Sequence, residues 1–196
     1  MPDLAANISR CRLCADRFAA TATGHRPRPV AWFAPGARLL IAGQAPGARV
    51  HASGKPFNDA SGARLREWLG LDVEEFYDRT RVAFVPMAFC FPGYNATGSD
   101  LPPPALCRDT WHDEVMAALA PIRLKVLVGA HAHRYHLGIR GSMTQTVAQW
   151  RDYAPEIFAL PHPSWRNTAW IRKNPWFEAE VLPALRSQVA KVMQDG

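Results

Sequence analysis

Four cysteines, one histidine and two glycine-bearing loops carry the residues best suited to chemistry in this 196-residue chain. Cys11 and Cys14 form a C-x2-C pair among arginines, and Cys90 and Cys107 follow singly, far downstream. A plain buried thiol suits Cys90, which sits in an apolar run, but not the first pair. Thiolates in such a set are ligands for zinc or for an iron–sulfur cluster. Spacing alone leaves both open, because the second half lacks its own C-x2-C. His162 is fixed between Pro161 and Pro163 and is followed by Ser164, Trp165, Arg166 and Asn167. So little conformational freedom suits a binding or catalytic imidazole. The first glycine-bearing loop, Gly43-Gln44-Ala45-Pro46-Gly47, and the stretch Gly54 to Gly62 downstream let a ligand approach the backbone closely. Phe57, within that stretch, is either a core anchor or a platform for a flat ligand. Neither G-x-x-x-x-G-K-[ST] nor G-x-G-x-x-G is present, so no nucleotide cofactor is expected.

These residues must be positioned by an α/β framework. Apolar runs at Arg38–Ala42, Val82–Phe89, Leu124–Val128 and Glu156–Leu160 read as four buried strands, with Pro86 demoting the second or marking a bulge in it. Leu65, Trp68 and Leu69 share a helical face that Gly70 stops, and Asp109 is placed to cap a helix through Trp111, Val115 and Leu119. Thr144 can cap a short helix to Trp150. Asn174-Pro175 opens the last helix, with Phe177, Val181, Leu185 and Val189 on one face and a kink expected at Pro183. Residues 20–36 and 91–107 read as loops. His131, His133 and His136 are expected in solvated or capping roles, Asp72–Glu75 as a solvated helix face, and Trp150, Trp170 and Trp176 as packing residues. Strands alternating with helices predict a three-layer α/β/α domain over residues 1–196, with a central, mostly parallel four-stranded sheet. Residues 1–36 form its cysteine-bearing N-terminal segment. Ligands bind such sheets beyond the carboxyl ends of the strands, where the loops after Ala42 and Leu160 lie.

Composition bounds the function class. Hydrophobic residues at 48% and charged residues at 20% describe a globular chain and exclude disordered and fibrous classes. The charged residues Asp3, Arg10, Arg12, Asp16 and Arg17 interrupt the first twenty positions, so no secretory signal is expected, and no apolar run is long enough for a membrane span. A cytoplasmic, monomeric protein is the expectation. Lys and Arg outnumber Asp and Glu by 23 to 17, a net charge of +6, which is compatible with a polyanionic partner.

Taken in order, GQAPG after the first strand, GKPFNDASG downstream and LPHPS after the last strand resemble the uracil-DNA glycosylase superfamily. The cysteines resemble its family 4, which carries an N-terminal C-x2-C, a third cysteine after a central strand and a fourth beyond it. The resemblance implies that Cys11, Cys14, Cys90 and Cys107 ligate a [4Fe-4S] cluster. It implies that the Gly43–Gly47 loop holds the attacking water, with Gln44 catalytic, Gly43 and Ala45 at the base and Pro46 and Gly47 toward the DNA. Phe57 would stack on an extruded base, with Asn58 beside it, and His162 would donate a hydrogen bond to the base oxygen. Pro163, Ser164, Trp165, Arg166 and Asn167 would contact the duplex, with Trp165 or Arg166 filling the vacated stack; His51 is a further polar candidate. The implied activity is excision of uracil or a related deaminated base from DNA, leaving an abasic site.

Three positions depart from the pattern. Family 4 places Glu at the second position of the first loop and family 1 Asp at the third; here these are Gln44 and Ala45, neither of which takes a proton from water. Family 4 also has an Asn where Pro86 stands, leaving Asn58 or the Met87–Phe89 backbone to read the base. A weakly active or non-catalytic binder of abasic or damaged DNA is therefore the alternative, and a zinc-bound nucleotide hydrolase a third.

Overall fold

The computed structural model describes residues 4–194; Met1–Asp3, including the Asp3 counted against a signal sequence, lie outside the described residues. Four strands, β1 (Leu39–Ala42), β2 (Val82–Phe84), β3 (Leu124–Val128) and β4 (Ile157–Leu160), form one sheet in the order β2-β1-β3-β4. Every pairing is parallel, with Ile41 opposite both Phe84 and Val126, and Val128 opposite Leu160. Helices α1 (Leu4–Ser9) and α2 (Ala15–Ala19) precede the sheet. Between β1 and β2 come α3 (Ala48–Ser53), α4 (Ala60–Leu69) and α5 (Val73–Tyr77), and between β2 and β3 lies α6 (Ala105–Ala118). Helices α7 (Ala130–Leu137), α8 (Met143–Ala148) and α9 (Trp150–Tyr153) lead to β4, and α10 (Thr168–Lys173) and α11 (Leu182–Gln194) follow it.

The strands are buried on both faces, as parallel strands must be when helices cover each side. Alternate side chains divide between two cores. Leu39 and Ile41 join Val126, Val128, Phe158 and Leu160 against α4 and α11, through Leu65, Trp68, Leu185 and Val189. Leu40 and Ala42 face the other way with Leu127, against Ile8, Val115, Leu119 and Ala132 from α1, α6 and α7. This is the expected three-layer arrangement, and among the described residues no helix is long and apolar enough to cross a membrane.

Several local expectations give way to tertiary context. Strand β2 ends at Phe84, short of Pro86, yet the chain still runs beside the β1 loop: Met87 N–H donates to the Gly43 carbonyl at 2.9 Å and Ala88 N–H to that of Gln44 at 3.2 Å. Helix α6 starts at Ala105 after Pro104, so Asp109 lies inside it and caps nothing, and the loop ends before Cys107. Ser142, not Thr144, caps α8, through a reciprocal box with Gln145. Asp72 likewise caps α5 with Glu75 in a box, so these acids satisfy backbone donors and are not merely a solvated face. The interruption expected at Pro183 takes the form of a π-helical turn over Phe177–Val181. Proline offers no N–H to the Ala179 carbonyl, and the turn just before it widens.

The largest correction concerns the histidines after β3. His133 is 2% exposed, and its Nε2 lies 3.0 Å from the Leu127 carbonyl and 3.1 Å from that of Leu160. An Nε2–H shared by two carbonyls pins the end of β3 to the end of β4, immediately before His162. Burial lowers the proton affinity of His133, and lowers that of His136 to about 4 with the help of Lys125 and His112. Such groups bind a proton more readily unfolded than folded, so stability is present above the unfolded value and is lost as pH falls from about 6.5 toward 4. In urea unfolding at pH 7 and pH 4.5, His136→Asn is expected to shrink the acid-induced loss of stability measurably; an identical loss in both proteins would remove His136 as a cause.

Candidate active site

The parallel sheet brings the carboxyl ends of β1, β2 and β4 to one edge, and the loops that leave them enclose a groove in two parts. The inner part is walled by the Gly43–Gly47 loop, Phe57, Phe84, Pro86 and His162. The outer part opens onto Arg49, Ser164, Trp165 and Arg166. Gln44, Asp59, Ser61, Asp100 and His162 line both, and so form the throat between them.

Phe57 is held in an unusual conformation. Its φ is +49°, a left-handed geometry that costs a non-glycine residue about 1–2 kcal/mol. Strain of this kind persists only where surroundings over-determine it. Here the Tyr77 hydroxyl donates to the carbonyls of Pro56 and Phe57, at 3.1 and 3.2 Å. The ring packs 5.8 Å from that of Phe84 and 6.3 Å from that of Phe76, and its tip lies 3.7 Å from where a Cβ on Gly43 would stand. It is thus both core anchor and pocket wall. Gly62 permits this, since a Cβ there would fall 1.7 Å from the Phe57 carbonyl oxygen. The neighbouring Asp59 carboxylate accepts from Gly62 N–H at 3.0 Å and caps α4. Asn58 is exposed and lines neither part of the groove.

His162 sits at the throat, its proton affinity lowered by burial and partly restored by Asp59. Its Nδ1 accepts from the Ser164 N–H at 3.2 Å. A neutral ring that accepts at Nδ1 carries its proton on Nε2, which leaves Nε2–H as a donor. Asn167 locks the backbone there, its side-chain amide donating to the His162 carbonyl at 2.7 Å. Arg64 donates to the Ser164 carbonyl at 3.3 Å. Beyond these anchors Trp165 is 77% exposed, an indole on a short 3-10 turn with the Arg166 guanidinium 6.0 Å from its ring.

Gln44 spends its amide on the Leu101 carbonyl, 3.4 Å away. The Met87–Phe89 backbone, expected to stand in for a base-reading Asn, is already committed: the Phe89 N–H points to Cys107 Sγ at 3.4 Å, and those of Met87 and Ala88 serve the Gly43–Gln44 carbonyls. Pro46 and Gly47 line the inner wall with Ala45. His51, in contrast, lines neither part. Its ring lies against His25 and Phe91, and burial lowers its proton affinity. The throat acids Asp59 and Asp100 escaped the motif reading. Asp100 carries only a faint signal, an acid at the start of the D-L-P-P-P run in the long loop.

The four cysteines line a separate, otherwise apolar pocket with Ile8, Phe18, Phe89 and Trp111. Cys14 precedes α2 and Cys107 lies in the first turn of α6. Burial pushes the Cys90 thiol up to about 12 and the Cys107 thiol up to about 11, and neighbouring sulfurs push in the same direction. Sulfurs close enough to oppose one another's ionisation, in an apolar pocket, fit a cationic centre that would reverse that repulsion. Among the described residues no group of three or more His, Cys, Asp or Glu side chains is arranged to hold a metal ion.

Substituting Gly62 by Ala should force the Phe57 backbone out of its place. A loss of about 1–3 kcal/mol in urea unfolding is expected, and unchanged stability would show that the Phe57 turn has room to move.

The family model of the uracil DNA glycosylase superfamily matches residues 30–186, which include the Gly43–Gly47 loop, Phe57, His162, Cys90 and Cys107. With most of its length and the whole of its groove inside that match, the chain belongs to the uracil DNA glycosylase superfamily.

Proposed function

We propose that the protein is a monofunctional DNA glycosylase that hydrolyses the N-glycosidic bond of uracil or a related deaminated base in DNA and leaves an abasic site. The observation that carries this reading is the inner groove: an imidazole donor at His162 and the aromatic wall of Phe57 line one pocket with a glycine-bearing loop that lets a sugar approach the backbone. Breaking this bond separates a base anion from an oxocarbenium-like sugar, so catalysis is chiefly electrostatic. His162 Nε2–H stabilises the departing base, and its depressed proton affinity keeps it neutral near pH 7. The base must first leave the stack at a cost of a few kcal/mol. Phe57 offers it a new stacking partner, and the exposed indole of Trp165 fills the space it vacates. Arg166 and Arg49, at the mouth, suit the phosphate backbone. With the Met87–Phe89 N–H groups engaged and Asn58 outside the groove, base selection falls to Gln44, Ser61 and His162, and deaminated purines are candidates beside uracil.

Cys11, Cys14, Cys90 and Cys107 would hold a [4Fe-4S] cluster. Its contribution is mechanical, tying the N-terminal segment to both ends of the long loop between β2 and α6. The match to the family begins at residue 30, so the C-x2-C stands outside it and the cluster rests on the shared pocket.

The first test is single-turnover excision from single-stranded oligonucleotides carrying uracil, hypoxanthine or xanthine, with His162→Ala alongside. Excision that drops by roughly 10²-fold or more in the variant is expected. Tight binding to abasic DNA without excision of any of the three would favour the second reading, a lesion binder, to which Gln44 and Ala45 in place of acids give some support. For the cluster, as-isolated protein should be brown, and Cys11→Ser should lose iron and melt earlier. Unchanged iron content in that variant would exclude Cys11 as a ligand, and a colourless, zinc-loaded protein would exclude the cluster.

A further inference from the structure

We infer that Asp100 is the catalytic carboxylate of this groove, taking the proton from the attacking water in place of the acid that the Gly43–Gly47 loop lacks. The inference rests on the glycosylase reading above. A base in the inner pocket and a DNA backbone in the outer part put the glycosidic bond in the throat, which five side chains line. Gln44 and Ser61 do not accept a proton at neutral pH, and His162 accepts at Nδ1 from Ser164 and donates at Nε2. Two carboxylates remain. Asp59 is engaged as the cap of α4. The Asp100 carboxyl is not tied by a hydrogen bond among the described residues, and the guanidinium of Arg166 acts on it through its charge.

Asp100 is also held in place. Its backbone pairs with Tyr94 in an antiparallel bridge, Leu101 N–H donates to the Gly93 carbonyl at 2.8 Å, and Asn95 N–H to that of Ser99 at 2.9 Å. The Asn95 side chain closes the turn by accepting from the N–H groups of Thr97 and Ser99. Residues 93–101 thus form a short hairpin arm with Asp100 on its returning side. Gln44 binds that arm at Leu101, so the residue that stands where family 4 has an acid fixes the position of the acid used here. Asp100 is exposed at the rim, and the partial burial of its carboxyl raises its proton affinity against the opposing charge of Arg166. A carboxylate raised in this way is the stronger base.

The step balances within the site. The water oxygen bonds to C1′ as the bond from C1′ to the base breaks, and the base departs with the electron pair. The water proton passes to the Asp100 carboxylate. The base anion, held by His162 Nε2–H, takes a proton from solvent on release. While the bond is breaking, the Asp100 charge also favours the cationic sugar.

The test compares wild type, Asp100→Asn and Asp100→Glu in single-turnover excision from the uracil, hypoxanthine and xanthine oligonucleotides, with affinity for abasic DNA measured in parallel. Asp100→Asn is expected to lose roughly 10²–10⁴-fold in rate while keeping its affinity for abasic DNA, and Asp100→Glu to recover part of the rate. The wild-type rate should fall as pH drops through the raised Asp100 value, and Asp100→Asn should lack that acid limb. The other charged groups facing the throat, Arg49, Asp59, His162 and Arg166, are present in both proteins. Excision by Asp100→Asn within a few-fold of wild type would overturn the assignment and leave the glycosylase standing. Wild type inactive on all three substrates would overturn the glycosylase reading, and this assignment with it.

Discussion

Parallel pairing of β1 with β2 on one side and β3 on the other is the constraint from which the site follows. Because all four strands run the same way, the chain leaves each of them at the same edge of the sheet. The loops after β1, β2 and β4 must therefore meet there, although Gln44, Asp100 and His162 are far apart in sequence. The β1 loop is not simply adjacent to the segment after β2. It is joined to it by backbone bonds from Met87 and Ala88, so the ladder continues past the last strand residues into the groove wall. His133 reinforces the same edge from beneath by bonding the Leu127 carbonyl near the end of β3 and the Leu160 carbonyl at the end of β4.

Upon this edge the structure places one strained residue and one braced arm. Phe57 occupies a left-handed conformation because Tyr77 holds its carbonyl, and Gly62 leaves room for it. The arm over residues 93–101 is braced at its foot. Gly93 lies so close to Thr21 and Thr23 that a Cβ would come within 2.9 Å of each hydroxyl oxygen. His25 Nε2–H donates to the Phe91 carbonyl, its Nδ1 pairs with the Thr23 hydroxyl, and its ring stacks on Phe18. The N-terminal segment thus acts on the groove at second hand, through the foot of the arm. Cys90 and Cys107 flank the arm on either side, and their pocket includes Cys11 and Cys14. A cluster held there would clamp both ends of the arm to the N-terminal segment, which gives a cofactor remote from the groove a reason to matter for it.

Much of the architecture was legible because burial leaves a strong mark. The four apolar runs became four strands within a residue or two, except β2, where Pro86 shortened the run. The errors fall where a short-range signal competes with a partner elsewhere. Asp109 looked like a helix start, but Pro104 starts α6 earlier because proline tolerates the helix N-terminus. The histidines after β3 looked polar, and polarity alone does not reveal that two strand-end carbonyls lie within reach of His133. His51 shares a loop region with the motif residues and yet turns toward His25, because the sheet edge faces one way and α3 presents that side chain the other.

For the site, residue type and order carried the Gly43–Gly47 loop, Phe57 and His162, since each has a local feature visible in the chain: glycines, an aromatic residue within a glycine-bounded stretch, a pair of prolines. The sequence alone determined the layered α/β class, the superfamily resemblance and the absence of an acid in the first loop. Only the tertiary structure decided which carboxylates reach the throat, which backbone donors are already engaged and which tautomer His162 holds. Those are questions of proximity between segments that the chain separates by scores of residues, and the parallel sheet brings them to one groove.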